Sequence, residues 1–265
     1  MKHKIAIIGA GNLGLSIVQG LLKSKKYSAE DFILSRRSIT KLETYRKEGF
    51  ATTSNNIEAV NSADIIILGI LPQKIDSVLE EIADSLTPNQ LIISLATGVR
   101  INQIQDKLGK SNPIVRAMPN TAIAIRESMT CIASTSEFKR HISVTKDIFE
   151  HVGETVVINE DQMTSATALC ACGIAFFLRA IRAASQGGTE IDFHAGEALK
   201  MAAQTAKGAA ALLLENNSHP EDEIDKVTSP KGCTIAGLNE MEHSGFSSSF
   251  IKGITTSAEK AKGLY

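Results

Sequence analysis

Ile5-Ala6-Ile7-Ile8-Gly9-Ala10-Gly11-Asn12-Leu13-Gly14 decides how the rest of the chain is read. Four apolar residues make a short buried strand. A glycine turn follows at once, and Leu15, Val18, Leu21 and Leu22 then recur at helical spacing. Strand, glycine turn and helix in this order form a dinucleotide-binding element, and each glycine has a physical task. Gly9 permits the tight turn, Gly11 lets a pyrophosphate approach bare backbone, and Gly14 lets the helix pack close to the strand. The helix N-terminus adds unpaired N–H groups and a partial positive charge. The competing reading is a tight turn with a purely structural role.

Working outward, strands and helices alternate. Phe32-Ile33-Leu34 reads as a second buried strand, ending in Ser35-Arg36-Arg37-Ser38. An acidic residue at this strand end binds the ribose hydroxyls of NAD, whereas arginine with small hydroxyl residues suits the extra phosphate of NADP. No Asp or Glu lies between Leu34 and Leu42, so NADP is favoured; a solvated basic turn is the alternative. Gly49 closes the next helical stretch, Phe50-Ala51-Thr52 is a brief strand, and Asn55-Asn56 begins a short helix. The apolar run from Ile65 to Ile70 suits a parallel strand and stops at Leu71-Pro72-Gln73, at the carboxyl edge where ligands bind in open α/β sheets. Leu91 to Leu95 is another buried strand, and the small residues Ala96-Thr97-Gly98 beyond it leave room for a flat ring. Pro113 to Ala117 runs into Met118-Pro119-Asn120-Thr121. Asn120 can hold a substrate or a nicotinamide amide, or serve as a turn residue bonding local backbone. Two more strands, Met129 to Ala133 and Thr155 to Ile158, flank a helix near Phe138 to His151. The alternation predicts one doubly wound domain over residues 1–159.

Composition narrows the class. The 265 residues carry a formal charge of -1, which gives no electrostatic reason for a nucleic-acid or membrane partner. Lys2 and Lys4 lead straight into strand and glycine turn, which argues against a signal peptide and for a cytoplasmic protein. Ala166 to Ala184 is very apolar but contains Arg179 and Arg182, so it reads as a buried helix rather than a membrane span. Cys131, Cys170, Cys172 and Cys233 form no CxxC pair; the reading is reduced thiols and no metal site.

From 160 to 265 no strand is evident. Asp161 to Ser185 is apolar nearly all round, which implies burial on every side, and Gly187-Gly188 reads as its break. His194 to Asn216 is an alanine-rich helix, and Asn217 to Glu223 a polar loop. Val227 to Thr234 is a turn leading into a helix that ends near Ser244-Gly245, and a last helix runs from Ser247 to about Lys262. So small a helical unit has little core of its own, which predicts a homodimer formed through this half.

These motifs together resemble the pyrroline-5-carboxylate reductases over nearly the whole length. The resemblance rests on GAGNLG at 9–14, ILPQ at 70–73, SLATG at 94–98, VRAMPNT at 115–121 and TSPKGCTIAGL at 228–238. It implies a Rossmann-type dinucleotide-binding domain (1–159) followed by an all-helical dimerisation and substrate domain (160–265). It also implies hydride transfer from NADPH, with NADH as a second donor, to the cyclic imine of 1-pyrroline-5-carboxylate, giving L-proline in the last step of proline biosynthesis. The cofactor set it implies is Gly9, Gly11, Asn12, Leu13, Gly14, Ser35, Arg36, Arg37, Asn56, Ile70, Leu71, Pro72, Ala96 and Thr97. The substrate set is Asn120, Ser229, Lys231, Gly232, Cys233 and Thr234, with the Thr234 hydroxyl near the imine nitrogen in a catalytic role; an N-cap role is the bland reading of Thr234. The implied partners are an imino-acid substrate and a second copy of the chain, as a homodimer or a higher oligomer of dimers, with no nucleic acid and no membrane.

Three positions depart from the family pattern. Leu71 stands where a lysine is usual, Cys170-Ala171-Cys172-Gly173-Ile174 replaces a serine-glycine-serine-glycine-proline segment, and Lys231 stands where the substrate turn has a second glycine. A lost serine hydroxyl is worth about 1 kcal/mol if hydrogen-bonded. Lys231 either attracts the substrate carboxylate or crowds a turn that needed glycine. These changes keep two alternatives open: reduction of a different cyclic imine or small oxo acid, and a catalytically silent NADP-binding dimer.

Overall fold

The computed structural model describes residues 3–109 and 111–265; Lys2, part of the argument against a leader, lies outside them. The chain divides into two compact units, Met1–Cys172 with Ser257–Tyr265, and Gly173–Thr256.

The first unit is built on one eight-stranded sheet in the order β3-β2-β1-β4-β5-β6-β7-β8. Its strands are β1 (Ile5–Ile8), β2 (Phe32–Ser35), β3 (Ala51–Thr53), β4 (Ile65–Leu68), β5 (Leu91–Ser94), β6 (Ile114–Met118), β7 (Ser128–Ser134) and β8 (Gly153–Val157). Its helices are α1 (Asn12–Lys23), α2 (Glu43–Lys47), α3 (Asn56–Asn61), α4 (Pro72–Ile82), α5 (Ile101–Leu108), α6 (Ile142–Glu150) and α7 (Met163–Ala166). β1, β2, β4 and β5 are buried along their whole length, as strands covered on both faces must be. Side-chain alternation divides their residues between two cores. Ile5 and Ile7 pack with Ile17, Val18 and Leu21 of α1, while Ala6 and Ile8 pack with Ile75 and Leu79 of α4 and Ile104 of α5.

β1 pairs in parallel with both β2 and β4. The strand order therefore reverses direction at β1, and the carboxyl ends of β1 and β4 flank a crevice. β7 runs antiparallel to β6, Met118 opposite Cys131. The alternation of the sequence did not disclose that reversal. Its cause is the short link after β6: the 3-10 turn Thr121–Ile125 is too brief for the crossover a parallel neighbour needs.

The second unit is helical: α8 (Gly173–Glu190), α9 (Ala195–Asn216), α10 (Pro220–Val227), α11 (Cys233–His243) and α12 (Phe246–Lys262), the last ending within the first unit. Two sequence readings are corrected here. Gly187-Gly188 does not break the helix, which runs on to Glu190. A Cβ on Gly188 would lie 3.1 Å from the Cβ of Ala198, so this glycine serves close packing of α8 on α9. The segment from Asn217 to Glu223 is only partly loop. Pro220 starts α10, and Nδ1 of His219 accepts from the Glu221 N–H at 3.3 Å. In the single chain the apolar helix leaves side chains open, Phe177 and Leu178 being 58% and 59% exposed, as expected of a helix with more apolar faces than one chain covers. The stretch Glu160–Glu190 is long and apolar enough to cross a membrane by length and composition.

Candidate active site

The carboxyl ends of the parallel strands gather the residues singled out at the glycine turn. Gly9 has φ +81°, and a Cβ there would lie 2.5 Å from Ile70 Cγ2 and 2.7 Å from the Gly69 carbonyl. Gly14 is equally constrained, since a Cβ would stand 2.8 Å from Ile7 Cγ2. Gly11 differs. A Cβ there would meet nothing nearer than the Gly9 carbonyl at 3.8 Å, so the fold itself does not demand a glycine. What Gly11 keeps bare is the approach to the start of α1. It is the N-cap, it offers no capping side chain, and no acid sits in the first turn. The N–H groups of Asn12, Leu13 and Gly14 therefore point outward without an intrahelical acceptor, as a diphosphate cradle requires.

β2 is tied to this turn by backbone. Gly9 N and Ala10 N both donate to the Ser35 carbonyl, at 3.1 and 2.9 Å. Arg36 Nη1 donates to the Ala10 carbonyl at 3.0 Å, which lays the guanidinium across the turn, while Arg37 is exposed. Ser35 Oγ donates to Asn56 Oδ1 at 2.6 Å, and Asn56 Nδ2 donates to Glu81 Oε2 at 2.9 Å. The carboxylate fixes which way the amide faces, because it accepts only from the NH2 end. Glu81 was missed by sequence reasoning; it is 25 residues from Asn56, and no local pattern links the two.

Across the crevice, Leu71 caps α4 and is 69% exposed, with Pro72 at the first helical position. Ile70 and Thr97 are half-buried and Ala96 is buried. Beyond β6, Asn120 is 9% exposed. Its Oδ1 accepts from Ala122 N at 3.0 Å, the turn role, and its Nδ2 donates to the Cys170 carbonyl at 3.4 Å. Behind this turn the Arg116 guanidinium, 4% exposed, donates to Glu160 Oε1 at 3.2 Å. Burial pulls its pKa below the ordinary value while Glu160 opposes that shift.

The second candidate cluster lies in the helical unit. Gly232 N donates to the Ser229 carbonyl at 2.9 Å, closing a turn led by Pro230. Lys231 holds φ +59°, the left-handed region glycine favours. The lysine has not rebuilt the turn; it occupies the glycine conformation. A Cβ on Gly232 would come within 2.5 Å of Ser229 Oγ and 3.0 Å of the Ser229 carbonyl, so any side chain here forces Ser229 to shift. α11 starts at Cys233 with Gly232 as its N-cap. Thr234 is thus the second helical residue rather than the cap, and its half-buried hydroxyl is not committed to capping α11. The free N–H groups at this helix start make a second anion-attracting end.

Comparison with known proteins supports the motifs. Pyrroline-5-carboxylate reductase 2 of Dictyostelium discoideum is 49% identical over 98% of this chain and 92% of its own length. The chain belongs to the pyrroline-5-carboxylate reductase family. Pyrroline-5-carboxylate reductase 1 of the same organism is 51% identical over 98% of this chain, which spans 50% of that longer relative. The crystal structure of a Plasmodium falciparum pyrroline carboxylate reductase with NADP bound superposes with a TM-score of 0.91, at 26% identity over 100% of this chain and 99% of that one. Residues 160–264 match the model for pyrroline-5-carboxylate reductase dimerisation, and residues 4–98 that for NADP oxidoreductase, coenzyme F420-dependent. The dimerisation match covers the helices whose apolar faces their own chain leaves open, so those faces are the surface of a dimer-forming domain.

Proposed function

We propose that this chain reduces the cyclic imine of 1-pyrroline-5-carboxylate to L-proline with NADPH, as the last step of proline biosynthesis. The observation that carries the reading is the turn at 229–234, where Lys231 keeps a glycine backbone at φ +59° ahead of the N-terminus of α11. A turn preserved at the expense of strain presents backbone N–H groups to an anion, here the substrate carboxylate. The nicotinamide, when bound, supplies the hydride. Gly9, Gly11, Asn12, Leu13 and Gly14 hold the diphosphate at the start of α1. Ser35, Arg36, Arg37 and Asn56 take the adenosine end, the guanidinium groups favouring the additional phosphate over NADH. Ile70, Leu71, Pro72, Ala96 and Thr97 wall the crevice and exclude water from it.

Asn120, Ser229, Lys231, Gly232, Cys233 and Thr234 position the substrate, with the Lys231 ammonium drawing in its carboxylate. The Thr234 hydroxyl orients the imine nitrogen. Holding both reactants in attack geometry removes about 7–11 kcal/mol of barrier, and an imine already protonated on nitrogen accepts the hydride on carbon without a dedicated general base. In this reading 1–159 binds the cofactor, and 160–265 dimerises and supplies the substrate turn. The protein works in the cytoplasm as a homodimer or an oligomer of dimers, away from membranes.

The test is NADPH oxidation by the purified protein with pyrroline-5-carboxylate, repeated with NADH. The expected result is turnover with both and preference for NADPH, and a Thr234→Val variant with a lower kcat. Full turnover by that variant removes the role given to Thr234. The replaced segment at Cys170-Ala171-Cys172 and Lys231 favour a second reading, reduction of another cyclic imine or a small oxo acid; a panel of such substrates separates the two. No NADPH oxidation with any of them identifies a silent NADP-binding dimer instead.

A further inference from the structure

Two cysteines distant in sequence meet beside the Asn120 turn. Cys131 Sγ and Cys170 Sγ are 3.8 Å apart, across 39 residues. Cys131 stands in β7, hydrogen-bonded to β6 on one side and β8 on the other, and is 5% exposed. Cys170 is half-buried in the π-helical turn Thr167–Cys172. Met118, Ala133, Met163 and Ala166 pack around the pair. We propose that Cys131 and Cys170 are a reversible redox site, closing to an intrachain disulfide under hydrogen peroxide and slowing the enzyme through Asn120.

Exposure, together with the opposite shifts of the two thiols, sets the order of events. The two sulfurs share a hydrogen bond that either can donate; it pulls the Cys170 pKa down to about 7, and with burial it pushes the Cys131 pKa up. Cys170 is also the sulfur nearer solvent. Its thiolate attacks the peroxide, forming a sulfenic acid and releasing hydroxide, which takes up a proton to leave as water. The Cys131 sulfur then attacks the sulfenic sulfur, and the second oxygen leaves as water. Two thiols are oxidised and one peroxide is reduced to two waters. Closing the bond brings the sulfurs to about 2.05 Å. β7 is held on both edges, whereas a π-helical turn is a local irregularity that shifts more easily. The turn therefore moves, and with it the Cys170 carbonyl that accepts from Asn120 Nδ2. Excess thiol reverses the reaction. The effect on rate rests on the function proposed above; the cross-link does not.

The experiment treats reduced, full-length protein with hydrogen peroxide. Remaining thiols are blocked and peptides mapped by mass spectrometry without reduction; NADPH oxidation with pyrroline-5-carboxylate is followed before treatment, after it, and after dithiothreitol. A 131–170 cross-link is expected, with a roughly fivefold fall in rate that dithiothreitol restores, the size expected for one displaced hydrogen bond. Cys170→Ser and Cys131→Ser abolish the cross-link and make the remaining activity indifferent to the same dose, whereas Cys172→Ser keeps both responses. Cys170→Ser changes a half-exposed site, so it carries the test if Cys131→Ser fails to fold. Absence of the cross-link, Cys170 recovered only as sulfinic acid, or a cross-link without change in rate overturns the proposal. If the reduced protein shows no turnover at all, the proposed function fails, and peptide mapping still decides whether the dithiol closes.

Discussion

Removing the Glu160 carboxylate tests whether the first residue of the dimerisation match is also a structural pin of the nucleotide-binding sheet. Glu160 Oε1 accepts from Arg116 Nη1 at 3.2 Å and from Ile101 N, at the start of α5, at 2.7 Å. Arg116 is 4% exposed and Glu160 17%. In Glu160→Ala the guanidinium stays charged and buried with its partner gone, a situation that costs about 3–5 kcal/mol. The Ile101 N–H also loses its acceptor, although solvent can partly replace it. For a chain of this size each kcal/mol lowers Tm by about 2–4 °C, so a fall of roughly 6–20 °C is expected in thermal unfolding followed by circular dichroism. Protein concentration must be held constant because dimerisation is linked to stability. Glu160→Gln keeps an acceptor and loses only the charge, so its fall is smaller. The double variant Arg116→Met with Glu160→Leu removes both charges and regains most of the loss. A Tm shift under about 2 °C for Glu160→Ala, or a double variant as unstable as the single one, refutes the argument.

Three further outcomes follow from particular contacts. Gly11→Ala leaves Tm unchanged, since its Cβ has room 3.8 Å from the Gly9 carbonyl, yet weakens NADPH binding in a fluorescence titration; Gly9→Ala, with 2.5 Å to Ile70 Cγ2, lowers both. Burial and the nearby Asp147 raise the Tyr27 pKa to about 12 from 10.0. The unfolded chain then loses that proton first as pH rises, so Tyr27 stabilises the fold fully below pH 10 and loses that contribution between 10 and 12. Urea unfolding across that window has the steeper decline in wild type, and Tyr27→Phe flattens it. Gly188→Leu drives a side chain into Ala198, 3.1 Å from the first added carbon, and lowers stability by about 1–3 kcal/mol in the same assay; an unaltered midpoint contradicts the close packing of α8 on α9.

What could be read from the amino acids alone depended on whether a signal was local. Ile5 to Gly14 declares itself because strand, turn and helix are consecutive, and the apolar runs of β4 and β5 do the same for the parallel sheet. The direction of β7 was not legible, because orientation is set by the length of a connection rather than by the strand's own residues. Gly187-Gly188 misled for a related reason: a glycine pair breaks a helix on propensity, but here tertiary packing against Ala198 pays back more than the backbone loses. Lys231 is the case where local chemistry left a real choice. Its residue type predicts either a rebuilt turn or a retained one, and only the backbone, at φ +59°, distinguishes them. The pairings of Asn56 with Glu81, Arg116 with Glu160 and Cys131 with Cys170 had no signature at all. Each joins residues at least 25 positions apart, so the fold must exist before the contact does. The candidate site therefore has a readable frame, the turns that cradle anions, and an unreadable set of adjustments behind it. Cys170 is the sharpest case: its sulfur faces a second thiol that no spacing rule would pair with it.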